Sequence, residues 1–144
     1  MKIARRAEVP YSPAQMYALV QDVNAYPEFL PEISRVKVLE RSEDQVAAEL
    51  EVHKGPVREK FATRNRLRPP HWMSMELVQG PFKHLHGEWF FDAREDGRCT
   101  EIRFELDFEV KGFGLKMIME PIVGKMADKL VERFHRRAQQ IYGK

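Results

Sequence analysis

At 144 residues, 43% hydrophobic and 32% charged, the chain is long enough to build a core without staples and reads as one domain spanning residues 1–144. A net charge of +2 excludes the strongly basic balance of a dedicated nucleic-acid binder, and a single cysteine, Cys99, excludes an internal disulfide. No apolar run approaches the roughly 20 residues of a membrane span, and "MKIARRAEVPYS" lacks an apolar signal region, so the expected location is cytoplasmic.

Residues 2–9 predict a short strand. In "YSPAQMYALVQDV", Ser12 is a good N-cap, Pro13 suits the first helical position and Gln15 completes a capping box, while Met16, Leu19, Val20 and Val23 form a helical apolar stripe. Pro27 and Pro31 limit the following "NAYPEFLPEI" to a turn of helix, which leaves Tyr26, Phe29 and Leu30 in need of cover.

From about residue 33 the apolar period becomes two. Val36 and Val38 alternate first, then Val46, Ala48, Leu50 and Val52. In the next strand Val57, Glu59, Phe61, Thr63, Asn65 and Leu67 share one face, with Arg58, Lys60, Arg64 and Arg66 on the other. "RPPH" ends it. Met73, Met75 and Leu77 follow, then a turn at "QGPF", then Leu85, Gly87, Trp89 and Phe91. After "REDGR", Ile102, Phe104, Leu106, Phe108 and Val110 alternate with Glu101, Arg103, Glu105, Asp107 and Glu109. Strands half buried and half wet indicate an antiparallel sheet.

Beyond "KGFG" the period is helical to the end, with Met119, Val123, Met126, Leu130, Phe134, Ala138 and Ile141 on one side. Lys125, Lys129, Arg133 and Arg137 run down another at i, i+4 spacing, with Arg136 beside them. Pro121 marks either a helix start near Glu120 or a kink; a kink or a short preceding turn is the favoured reading. The sheet must cover its apolar face, and only this helix is long enough to do so. If a twisted sheet wraps it incompletely, a cavity remains between them.

In "GPFKHLHGEWFF" two sets of side chains alternate: His84, His86 and Glu88, and Leu85, Trp89 and Phe91. Only one can face the interior. The apolar set matches the parity of its neighbours and is placed inside, so the H-x-H-x-E set faces water and no metal site is expected. Cys99 has no visible activating base and reads as inert.

Three stretches, "VPYSPAQMYALVQDVNAYPEFLP", "GPFKHLHGEWFF" and "KMADKLVERFHRRAQQIYG", in this order and spacing, resemble the coenzyme Q-binding and ribosome-association-toxin family of START-like domains, also labelled polyketide cyclase/dehydrase and lipid-transport proteins. The resemblance covers essentially the whole chain. It implies an α+β helix-grip fold, a seven-stranded antiparallel sheet curled around a long C-terminal helix, with an apolar cavity. It also implies binding and delivery of a polyprenyl quinone such as ubiquinone, or another lipid, in support of respiratory electron transport. In the toxin branch it implies binding to a ribosomal subunit that interferes with subunit association and blocks 70S formation. Pro121 departs from the family's continuous helix and puts the shape of the cavity mouth in question.

The inward parity and the resemblance together nominate a ligand-binding set: Phe29, Glu59, Phe61, Thr63, Asn65, Met75, Leu77, Leu85, Trp89, Phe91, Phe104, Leu106, Phe108, Met119 and Val123. The large aromatics among them either wall a pocket or simply fill a core. Glu59, Thr63 and Asn65 either meet a ligand headgroup or are turned out by a bulge. Met73, Met75, Met117, Met119 and Met126 offer adaptable apolar surface. Tyr26–Pro31 and Lys111–Leu115 are candidates for the mouth, where Phe113 and Leu115 either close a lid or touch a membrane, with Lys111 and Lys116 steering toward anionic headgroups.

Three functions follow. The first is non-catalytic carriage of a quinone or lipid by a monomer that needs no cofactor, with transient contact at the inner membrane face. The second is ribosome association through Lys125, Lys129, Arg133, Arg136 and Arg137, although Asp128 and Glu132 interrupt that stripe. The third is a cyclase or aromatase, for which Glu59 is the one inward carboxylate available as acid or base.

Overall fold

The computed structural model describes residues 1–143. In chain order it contains β1 (Lys2–Val9), α1 (Pro13–Gln21), a 3-10 turn (Val23–Ala25), α2 (Tyr26–Phe29), β2 (Ile33–Arg41), β3 (Gln45–Lys54), β4 (Val57–Arg68), β5 (Trp72–Gln79), β6 (Phe82–Arg94), a 3-10 turn (Glu95–Gly97), β7 (Cys99–Val110) and α3 (Phe113–Tyr142). The strands form a single antiparallel sheet of order β1-β7-β6-β5-β4-β3-β2. β2 to β7 are a meander of hairpins, and β1 closes the far edge by pairing with β7. This is the helix-grip arrangement of seven strands and a long C-terminal helix.

Local chemistry sets the ends of these elements. The Ser12 hydroxyl accepts from the Gln15 amide at 3.2 Å, and the Gln15 side chain accepts from the Ser12 amide at 2.9 Å, so the capping box forms as the sequence predicts. Gly80 sits at φ +151°, and a β-carbon there would lie 2.5 Å from that of Phe61, so only glycine lets the β5–β6 turn fold against β4.

Helical backbone in α3 runs from Phe113 through Pro121 to Tyr142, 30 residues, so of the sequence expectations a fresh start near Glu120 and a separate short turn are replaced by one helix with the proline inside it. Pro121 lacks the N–H that would bond the Met117 carbonyl. Both residues are exposed, so water can take that bond, while Met119 and Val123 on the opposite side are buried against the sheet. Tertiary burial of the stripe outweighs the local break.

The inner face of the sheet carries the alternating apolar residues. Phe91, Ile102, Phe104, Phe108, Met119 and Phe134 are almost fully buried in one cluster. α1 closes one side of it, where Tyr17 donates to the Trp72 carbonyl at 2.9 Å; burial pushes this phenol up to about 12.

Candidate functional site

Between the sheet and α3 lies a cavity of about 80 Å³, room for about five to eight waters at the 10–15 Å³ each requires. Its wall is almost wholly apolar. The segment before β2 gives Val23, Tyr26, Leu30 and Ile33; β3 gives Ala48 and Leu50; β4 gives Phe61, Thr63 and Asn65. β5, β6 and β7 add Met75, Leu85, Phe104 and Leu106, and α3 adds Val123, Met126, Ala127 and Leu130.

The hollow lies where the inward side chains are short. Ala48 on β3 pairs with Thr63 on β4, and Ala127 of α3 joins them in the wall. Elsewhere under the helix the rings close the gap. Trp89 packs on Phe91, Phe104 and Phe134 with centroids 6.0, 4.5 and 5.4 Å away. Phe82 bridges Phe61 and Phe108 at 5.5 and 6.2 Å. Gly87 marks the border between the two: a β-carbon there would come within 2.6 Å of the Met75 methyl, which occupies that space.

The nominated ligand set therefore divides. Phe61, Thr63, Asn65, Met75, Leu85, Phe104, Leu106 and Val123 are brought together on the cavity wall. Trp89, Phe91, Phe108 and Met119 are buried in the packed part of the core, away from that wall. Leu77 and Glu59 are partly buried and outside it. Glu59 keeps the inward parity but stands near the start of β4, at the margin of the sheet's cover, so solvent rather than a bulge accommodates it.

Thr63 and Asn65 are the polar exceptions. Both are buried, and they satisfy each other: the Thr63 hydroxyl donates to Asn65 Oδ1 at 3.1 Å, and Asn65 Nδ2 reaches Met73 Sδ at 4.0 Å. The amide thus retains bonding capacity toward a guest with a carbonyl or hydroxyl.

The cavity is roofed by the proline-bounded turn of α2, and α3 holds that turn in place. Arg133, itself partly exposed, grips the buried Glu32 with two hydrogen bonds of 2.6 and 3.2 Å. Burial pushes the Glu32 carboxyl up, but the Arg133 hydrogen bond and charge, with Lys54 farther off, bring it below the ordinary carboxylate value. One helical turn on, Arg137 donates to Glu28 at 2.7 Å and lies 5.0 Å over the ring of Phe29, which itself meets Phe134 edge-on at 5.1 Å. The Tyr26 hydroxyl donates to the Val20 carbonyl, and burial raises its pKa well above that of a free phenol. Phe29 accordingly belongs to the roof rather than to the cavity wall.

These pairs change the reading of the basic stripe. Arg133 and Arg137 face the roof, and Arg136 pairs with Glu132 at 3.0 Å. Among the described residues only Lys125 and Lys129 of the five stand exposed without an ion pair. Spacing along a helix shows which residues share a side, but not whether acids from another element meet them.

The remaining candidates fall outside the cavity. His84 and His86 are on the wet face, where His84 meets Asp107 at 3.1 Å and His86 meets Glu76 at 2.5 Å and Glu88 at 3.6 Å. Partial burial opposes the charge of His86, but the two carboxylates hold its pKa above the ordinary value. The Cys99 thiol donates to Glu95 at 3.3 Å; that bond, then burial, pushes its pKa up, opposite to what a nucleophile needs. At the start of α3, Phe113, Met117 and Ile118 are exposed by 80%, 63% and 50%, and Lys116 pairs with Glu109.

Sequence reasoning missed Val23, Ile33, Ala48, Leu50, Met126, Ala127 and Leu130 as wall residues. All but Ile33 and Ala127 had been placed on apolar stripes. Only Ala48 and Ala127 are small; the others are ordinary aliphatic core residues, and which of those border a hollow depends on the convergence of separate elements.

Residues 9–135 match the family described as polyketide cyclase / dehydrase and lipid transport. Over 141 residues the chain is 42% identical to the ribosome association toxin RatA of Pseudomonas aeruginosa, covering 98% of this chain and 97% of that protein. It is 32% identical over 138 residues to the mitochondrial coenzyme Q-binding protein COQ10 homolog B of Xenopus laevis, covering 93% of this chain and 56% of that longer protein. The solved 18 kDa protein CC1736 of Caulobacter crescentus superimposes with a TM-score of 0.77 at 34% identity, covering 100% of this chain and 99% of that one. The Zhui aromatase/cyclase of Streptomyces sp. R1128 has the same fold, with a TM-score of 0.84 at 16% identity over 97% of this chain and 94% of that one. With its helix-grip fold, its apolar cavity and a family match over residues 9–135, the chain belongs to the polyketide cyclase/dehydrase and lipid transport family.

Proposed function

We propose that the chain, acting as a monomeric single domain, binds a hydrophobic molecule in the cavity under α3 without chemically altering it, and that this molecule is a polyprenyl quinone. The observation that carries the reading is the cavity itself: an apolar hollow with one buried amide–hydroxyl pair matches a greasy chain with a small polar head. Its 80 Å³ is less than a prenyl quinone needs, so binding requires the α2 roof to lift. Glu59, the acid or base of a cyclase reading, lies off the wall, which favours carriage over catalysis. No resident cofactor is invoked.

Delivery fits the exposed apolar start of α3. Among the described residues no helix is long and apolar enough to cross a membrane, but Phe113, Met117 and Ile118 can insert shallowly at the inner membrane face from the cytoplasmic side. The first test is native mass spectrometry of protein from its own host, with organic extraction of any bound lipid. A stoichiometric prenyl quinone supports the reading. Protein that is empty and takes up no added ubiquinone overturns it.

A second reading, association with a ribosomal subunit, is supported equally by the relatives, since RatA of P. aeruginosa matches this chain nearly end to end. Co-sedimentation with separated subunits tests it. Binding that weakens steeply with salt supports it, and absence of binding at low salt removes it.

A further inference from the structure

The outer face of the sheet is electrically divided. On β6 and β7 it presents Glu88, Glu101, Glu105, Asp107 and Glu109 interleaved with Arg94 and Arg103, which pair with Glu101 at 3.0 Å and Asp92 at 3.4 Å, so both signs are mixed there. On β4 the outward positions are Arg58, Lys60, Arg64, Arg66 and Arg68, with Ala62 the only interruption. Their register is fixed because the alternate positions, Phe61, Thr63 and Asn65, are committed to the cavity wall. We propose that this row contacts the sugar–phosphate backbone of ribosomal RNA, with Trp72 stacking on a base or sugar at its end. The proposal rests on the ribosome-association reading and supplies the surface that the α3 stripe, mostly consumed by internal ion pairs, does not.

Three observations converge. Outward side chains on one strand recur about every 7 Å, close to the spacing of successive phosphates along a strand, so consecutive cations can meet consecutive phosphates. The row is only partly neutralised: Glu40 holds Arg64 at 3.0 Å and Glu51 stands opposite Lys60 across the strands, but Arg66 and Arg68 are exposed with no ion pair among the described residues. Beside them a depression of about 210 Å³ is lined by Asp44, Gln45, Arg66, Leu67, Arg68 and Trp72. Trp72 pairs across the strands with Arg68, whose guanidinium lies 5.5 Å from the ring, and is held edge-on by Glu88 at 2.9 Å. Arginine forks suit phosphate bidentately, and an aromatic ring accepts any base. The one acid in the depression, Asp44, already accepts from Ser42 at 3.0 Å.

The test is co-sedimentation with separated ribosomal subunits between about 50 and 200 mM salt, with circular dichroism confirming each fold. Arg66→Gln/Arg68→Gln is expected to weaken binding at least about tenfold and to flatten the log–log salt slope by about 1.5, the loss of two phosphate contacts. Trp72→Leu is expected to weaken it about tenfold with the slope unchanged, and Trp72→Phe to restore it. Wild-type affinity in the arginine variant, or a loss confined to Lys125→Gln/Lys129→Gln, overturns the surface while leaving ribosome association standing. Displacement by polyglutamate as effective as by an RNA oligonucleotide overturns it in favour of an acidic protein partner. Failure of the wild-type protein to bind either subunit removes both readings.

Discussion

Two regions under the same helix behave in opposite ways. Toward β6 and α1 the space between sheet and α3 is filled by Trp89, Phe91 and Phe134, which pack up to Phe104 at the cavity's border with ring centroids 4.5–6.0 Å from Trp89. Toward β3 and β4 the same layer is hollow, because Ala48, Thr63, Val123 and Ala127 are too short to meet. Both regions are apolar and obey the same strand parity. Side-chain volume alone separates them, since an interior packs to near-crystalline density wherever its residues can reach one another. The filled region holds the helix, and the hollow one is free to take a guest.

The comparison breaks most sharply if the filled region is emptied. Trp89→Ala is expected to cost about 4 kcal/mol in urea denaturation, while the protein that remains folded still takes up added ubiquinone. Equal loss of uptake and stability would mean that the two regions are not separable. Next in size is Arg133→Met, which strands the buried Glu32 carboxylate under the cavity roof at a cost of about 3 kcal/mol. It also has a pH signature. Because the folded Glu32 titrates below its ordinary value of 4.5, the wild-type contribution is complete above that value and is lost as pH falls through the lower folded value. Thermal melts across that acid range should lose this component in Arg133→Met.

Filling the hollow gives the converse result. Ala127→Leu is expected to shift stability by no more than about 1 kcal/mol yet reduce quinone uptake at least about tenfold by fluorescence titration; unchanged uptake would place the ligand elsewhere. The smallest effect lies on the wet face. His86 is raised by Glu76 and Glu88, so its small contribution is complete below the ordinary value of 6.5 and disappears as pH rises through the higher folded value. Glu76→Gln should lower the His86 pKa in an NMR titration while changing stability by less than about 0.5 kcal/mol.

Much of this was legible from residue order. The period-two runs from residue 33 to 110 and the period-3.6 run after 113 correspond to six strands and α3, because each element has one wet and one dry face. The Ser12 capping box and the turn at Gly80 were equally local. The inward placement of Leu85, Trp89 and Phe91, and the outward placement of His84 and His86, followed from parity alone.

Other features depended on contacts between distant elements. Periodicity assigns a side chain to a face, but whether it meets another side chain or a void depends on the sizes of residues on other strands, as Ala48 and Ala127 show. Likewise, i, i+4 spacing aligned Arg133 with Arg137, but only the packing of α2 against α3 brought Glu32 and Glu28 to them from 101 and 109 residues away. Pro121 forbids one hydrogen bond, and the burial of Met119 and Val123 decided that the helix runs through it. The sequence by itself determined the elements, their faces and their order, because those depend on neighbours along the chain. Tertiary structure alone decided where the core is hollow, which charges are spent internally and which remain exposed, because those depend on volume and charge converging from separate parts of the chain.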